Sequence, residues 1–101
     1  MQFSNISELE LAKIFVHAKK EKIEKLLRIK NLNTHTATEI VYRFLRKQTP
    51  DFWSDYPNKY TALFDDVFFY MITEELQMQK NFGKKLEGDS RFIEPNITYV
   101  S

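Results

Sequence analysis

The sequence predicts an all-α fold: a small bundle of three to four helices followed by an extended C-terminal tail. Three observations carry that expectation. Apolar residues recur at helical spacing through most of the chain. Two capping boxes, Ser7-Glu8-Leu9-Glu10 and Thr36-Ala37-Thr38-Glu39, mark helix starts. The only two glycines, Gly83 and Gly88, lie beyond the last apolar stripe, so the helices have few natural breakers before them.

The first helix starts at Glu8. Ser7 is its cap, and Ile6 and Leu11 are placed to form a hydrophobic staple. Its stripe is Ala12, Phe15, Val16, Ile23, Leu26 and Leu27, which extends it to about residue 30. His17 to Lys22 is thin in apolar residues, so a break near Lys19 and Lys20 is compatible with the pattern. Asn31-Leu32-Asn33 ends the helix, since asparagine tolerates the left-handed conformation.

The second helix, over 36–48, carries Ile40, Val41, Phe44 and Leu45, with Arg46 and Lys47 near its negative end. Thr49-Pro50 stops it and can open a short helix over 50–55, with proline at the first helical position. Pro57 and Asn58 open a long last helix over 58–81, which stops before Gly83. The expected core is Leu11, Phe15, Leu26, Leu27, Ile40, Phe44, Leu63, Phe64, Val67, Met71 and Ile72. Residues 1–83 form the bundle domain. Residues 84–101 form the tail, where Gly88-Asp89-Ser90 and Pro95-Asn96 signal turns and Ile97 to Val100 has no evident partner strand.

Composition excludes whole classes of function. With 101 residues, 15% aromatics and a net charge of +1, the chain suits one folded domain rather than a disordered segment. The absence of cysteine removes disulfide frameworks, zinc fingers, iron–sulfur sites and thiol nucleophiles. There is no Gly-rich phosphate loop and no nucleophile elbow. His17 and Glu21 share helical i,i+4 spacing, but a solvated pair accounts for them, and no metal site or cofactor is expected. The adjacent carboxylates Asp65-Asp66 and Glu74-Glu75 diverge around a helix and make no acid–base pair. No catalytic residue is assigned. No apolar run approaches the ~20 residues of a membrane span. The N-terminus lacks the basic and apolar regions of a secretory leader, so a cytoplasmic protein is expected.

Charge and aromatic residues are unevenly spread. Residues 1–48 hold ten Lys/Arg and five Asp/Glu, whereas residues 49–101 hold five and nine. Ten of the fifteen aromatics fall between Tyr42 and Tyr70. Phe68, Phe69 and Tyr70 are consecutive and point about 100° apart, more than one core face can hold. The surplus suggests a surface for another protein. Its expected members are Phe52, Trp53, Asp55, Tyr56, Asp65, Asp66 and Phe69, aromatic anchors with acids around them that suit a basic partner surface.

Residues 27–46 offer an alternative, a loose resemblance to a helix-turn-helix. Asn31 stands at the turn position, and Ala37 and Ile40 at buried positions of a recognition helix. The resemblance implies Asn33, Thr34, His35, Thr38 and Arg43 toward the groove, with nearby lysines on phosphates and a dimer. Against it, the Thr36 capping box lengthens the connection beyond a tight turn. The expected function is therefore a non-enzymatic regulator or inhibitor that occludes a protein partner, with DNA binding as the alternative and a homodimer left open. In size and build the chain is similar to immunity proteins, antitoxins and phage-encoded inhibitors, a likeness of class carried by no motif.

Overall fold

A computed structural model describes residues 6–54, 59–63 and 65–88. Three long helices, α1 (Glu8–Leu27), α2 (Thr34–Lys47) and α5 (Asp66–Asn81), pack against one another, with single-turn α3 (Pro50–Trp53) and α4 (Lys59–Ala62) between the last two. The expected all-α bundle is what forms. Asp55, Tyr56, Phe64 and residues 89–101 lie outside the described residues, and with them most of the expected tail.

The start of α1 is as the sequence predicts, with Ser7 Oγ accepting from the Glu10 N–H at 3.1 Å. The helix then runs through Lys19 and Lys20 without a break. Its end differs. Arg28, not Asn31, takes the left-handed conformation, with φ 58°. The Arg28 N–H donates to the Lys25 carbonyl at 3.3 Å and the Ile29 N–H to the Glu24 carbonyl at 3.0 Å, the pair of bonds that defines a Schellman motif. Ile29 is buried in the same core cluster as Ile23, which supplies the apolar contact this motif favours. A non-glycine residue there carries strain of about 1–2 kcal/mol, partly offset by its lower freedom when unfolded. Arg28→Gly is expected to stabilise the fold by about 0.5–1 kcal/mol, read as a raised urea midpoint with unchanged slope. A lowered midpoint would show that the Arg28 side chain contributes more than the strain removes.

Helix α2 starts two residues earlier than expected. Asn33 is its cap, and Asn33 Oδ1 accepts from the Thr36 N–H at 3.1 Å. Thr36 is therefore in the first turn and is not the cap. Helix α3 begins as predicted, with Thr49 Oγ1 accepting from the Phe52 N–H at 3.3 Å and Pro50 in the first turn.

The long last helix expected over 58–81 is interrupted. Asp65 caps α5, and its carboxylate accepts from the Val67 and Phe68 N–H groups at 2.7 and 3.3 Å. The restart changes which face is buried. Phe68, Phe69, Ile72, Thr73 and Leu76 point inward, while Val67, expected in the core, is 65% exposed. Gly83, at φ 95°, closes α5 in a second Schellman motif, with the Lys84 N–H donating to the Gln79 carbonyl at 3.0 Å.

Phe15 and Phe68 centre the core, packed edge to face at 5.7 Å. Phe44 and Met71, expected in the core, are only half-buried. Leu26, also expected there, is exposed, because Ile29 and Leu32 from the α1–α2 connection and Leu86 from the segment after α5 fill that end. Leu32 and Glu87 form an antiparallel bridge. The Asn33 N–H donates to the Leu86 carbonyl at 2.7 Å, and the Gly88 N–H to the Asn31 carbonyl at 2.8 Å. Residues 84–88 thus fasten the segment after α5 to the α1–α2 connection.

Candidate functional site

The expected partner surface divides into three parts. Phe52 and Trp53 are half-buried on α3, edge to face at 4.9 Å, and both pack against the core. Phe52 also lies 6.3 Å from the Phe68 ring, so it closes one end of the bundle. Trp53 borders an open groove of about 680 Å³, lined also by Glu8, Leu45, Arg46, Gln48 and Pro50. Glu8 and Arg46 make that groove mixed in charge rather than acidic.

Phe69 does not belong to any surface. It is 2% exposed and sits 6.0 Å from the Phe15 ring. Lys22 and Lys19 of α1 place their ammonium groups 4.6 and 5.8 Å from its ring centre. These cations cover the ring and favour its electron-rich face. Asp65 is engaged as the α5 cap, whereas Asp66 is exposed. Asp55 and Tyr56 are outside the described residues.

A different surface appears on α5. Opposite its buried stripe, Val67, Tyr70 and Met78 are 65%, 54% and 50% exposed, and Phe82 just past the helix end is 79% exposed. Spacings of three, four and seven residues keep such side chains on one face. Exposed Glu74 lies between them on that face. The aromatic run at 68–70 is the sequence signal for an unburied aromatic, but the ring expected to face outward, Phe69, is the wrong one. The structure buries Phe68 and Phe69 and exposes Tyr70.

The residues of the DNA-binding alternative are not presented together. The connection between α1 and α2 spans residues 28–33, longer than the three to four residues of a helix-turn-helix. Asn33 is occupied as a cap, Thr34 and Thr38 are half-buried, and Arg43 pairs with Glu39 at 3.4 Å. His35 is exposed.

One polar group has a perturbed environment. Glu24 Oε2 accepts from the Leu32 N–H at 2.8 Å and meets Lys20 Nζ at 3.0 Å. Partial burial pushes its pKa up, but the Leu32 bond and Lys20 outweigh that and hold it below the ordinary glutamate value. Glu24 and Arg28 have i,i+4 spacing but form no ion pair among the described residues, because Arg28 leaves the helix. This carboxylate holds a loop in place. Among the described residues no three His, Asp or Glu side chains converge as metal ligands, and no helix is long and apolar enough to cross a membrane.

The chain matches no family model, no curated protein and no solved structure.

Proposed function

We propose that this chain is a small, non-enzymatic protein-binding regulator that acts in the cytoplasm by occluding a partner, in the manner of an inhibitor, antitoxin or immunity protein. One observation carries the reading: the outer face of α5, where Val67, Tyr70, Met78 and Phe82 are all exposed. Single exposed apolar residues are ordinary on a protein surface, but several on one helix face are a feature of docking surfaces. Methionine and tyrosine suit such a surface, one by adaptability and one by offering apolar area with a polar tip. Half-exposed Trp53 supplies a further anchor at the groove beside α3.

The test is capture of partners from source-cell lysate on the immobilised chain, with and without nuclease. A stoichiometric protein that survives nuclease supports the reading. Nucleic acid in the eluate, with proteins lost on nuclease treatment, would shift the reading to DNA binding through α2. Trp53→Ala is expected to weaken the captured complex by about 2 kcal/mol, or roughly 30-fold, by calorimetric titration. Unchanged affinity would remove Trp53 from the surface.

A further inference from the structure

The outer face of α5 carries a carboxylate at the centre of its apolar stripe, and that charge narrows what can cover it. Val67 and Tyr70 lie toward its N-terminal end, Met78 and Phe82 toward its C-terminal end, and Glu74 stands between the two pairs. Glu74 is exposed and joins no ion pair among the described residues. Asp66, one turn before Tyr70, is exposed as well. A partner that buries the apolar pairs must also cover the Glu74 carboxylate. Covering it without a counter-charge would strip an ionised carboxylate of water with nothing in return.

A second copy of the chain answers this demand poorly. The stripe runs from Val67 to Phe82, so its midpoint falls at Glu74. A symmetric antiparallel pairing of two α5 helices would therefore set Glu74 against Glu74. An in-register parallel pairing would do the same. Both oppose like charges at the centre of the contact. A helix that carries a cation at its own midpoint removes the conflict.

We propose that the outer face of α5 docks a basic amphipathic helix of a partner protein, with apolar side chains against Tyr70 and Met78 and a lysine or arginine opposite Glu74. This rests on the protein-binding reading and names the partner's chemistry. Val67, Tyr70, Glu74 and Met78 stand at i, i+3, i+7 and i+11 and form one row along α5, against which a partner helix can set its own apolar anchors at i, i+3, i+4 and i+7. The net charge of the whole chain is +1, so a basic helix has no general attraction to it. Binding must come from the local complement.

The experiment uses the full chain and two synthetic peptides of about 18 residues, long enough to become helical on binding. Both carry leucine at i, i+3, i+4 and i+7 positions, one with lysine elsewhere and one with glutamate. The lysine peptide is expected to bind the wild-type chain by calorimetry or fluorescence anisotropy. Glu74→Lys is expected to weaken it about tenfold and to favour the glutamate peptide. The pair Tyr70→Ser and Met78→Ser is expected to weaken both peptides. All three positions are exposed or at a helix surface, so the variants should fold, which circular dichroism checks.

Equal binding of both peptides, or indifference to Glu74→Lys, overturns the charge assignment. If a captured partner from lysate still depends on Tyr70 and Met78, the protein-binding reading survives that result. A concentration-dependent doubling of mass in light scattering, abolished by Met78→Glu, assigns the face to a second copy and overturns the proposal. So does protection of Met78 from peroxide in the isolated chain, which would mean the chain covers this face itself.

Discussion

Phe68→Ala is expected to destabilise the protein by about 3–5 kcal/mol, while Val67→Ala, one residue away, changes stability by no more than about 0.5 kcal/mol. The Phe68 ring meets Phe15 at 5.7 Å, Phe44 at 6.5 Å and Phe52 at 6.3 Å, so it joins α1, α2 and α3 to α5. Its removal leaves a cavity that three elements border and that none can fill without unpacking another. Val67 loses little, because two thirds of it already faces water. For a domain of this size the total stability is of the order of 5–15 kcal/mol. Phe68→Ala should therefore melt well over 10 °C lower, or fail to fold at ambient temperature. Phe68→Leu, which retains most of the apolar volume, should lose about 1–2 kcal/mol and stay folded for comparison. Urea titrations of the three variants decide the matter. Equal losses at 67 and 68 would mean that α5 is rotated from the orientation described above.

The second large effect is at Glu24. Its carboxylate accepts the Leu32 N–H across the α1–α2 connection, and Leu32 is fully buried. Glu24→Ala leaves that N–H without its charged acceptor and is expected to cost about 1–3 kcal/mol. Glu24→Gln keeps an acceptor and should cost about 1 kcal/mol. The effect should depend on pH in a defined direction. The folded-state pKa of Glu24 is lowered, so its contribution is present above the unfolded-state value. It is lost as pH falls through the lower, folded-state value. The wild-type advantage over Glu24→Gln should therefore be full near pH 7 and shrink toward zero below the ordinary glutamate range. An advantage that grows on acidification would contradict the geometry. Hydrogen exchange at the Leu32 amide offers a local readout, since that N–H should exchange faster in Glu24→Ala.

Helix starts were the most legible features of the chain. Ser7 and Thr49-Pro50 cap α1 and α3 as their residue types imply, because an N-cap is a local bond between a side chain and an N–H two or three residues on. The stop at Gly83 was legible for the same reason, since glycine enters the left-handed region without strain. Even the missed start at Asp65 had a local signal, an aspartate just before the apolar run. In the sequence it also forms half of a carboxylate doublet, which hides its capping role. Asn33 likewise is as good a cap as threonine, and two candidate caps three residues apart cannot be ranked on residue type alone.

The candidate surface was less legible. Ten aromatics clustered between Tyr42 and Tyr70 signalled that some aromatic surface faces outward. Which ring does so depends on the phase of α5, and the phase depends on where the helix restarts. With the restart at Asp66, Phe69 turns inward under Lys19 and Lys22, and Tyr70 turns outward. One residue of offset turns a side chain by about 100°, enough to exchange core for surface.

Fold class and the order of the three long helices follow from local rules, apolar periodicity and caps, that act over one or two turns and need no distant partner. Three features follow from contacts distant in sequence. Arg28 is left-handed although its residue type disfavours that conformation, because Ile29 and Leu32 turn back into the core that Leu86 shares. Glu24 is bound to a loop amide rather than to Arg28, because that turn brings the Leu32 N–H to it. Tyr70 and Met78 are exposed because Phe68, Phe69 and Leu76 fill the space facing α1 and α2. Each of these depends on which side chains win a shared volume, and that competition is settled only when the helices meet.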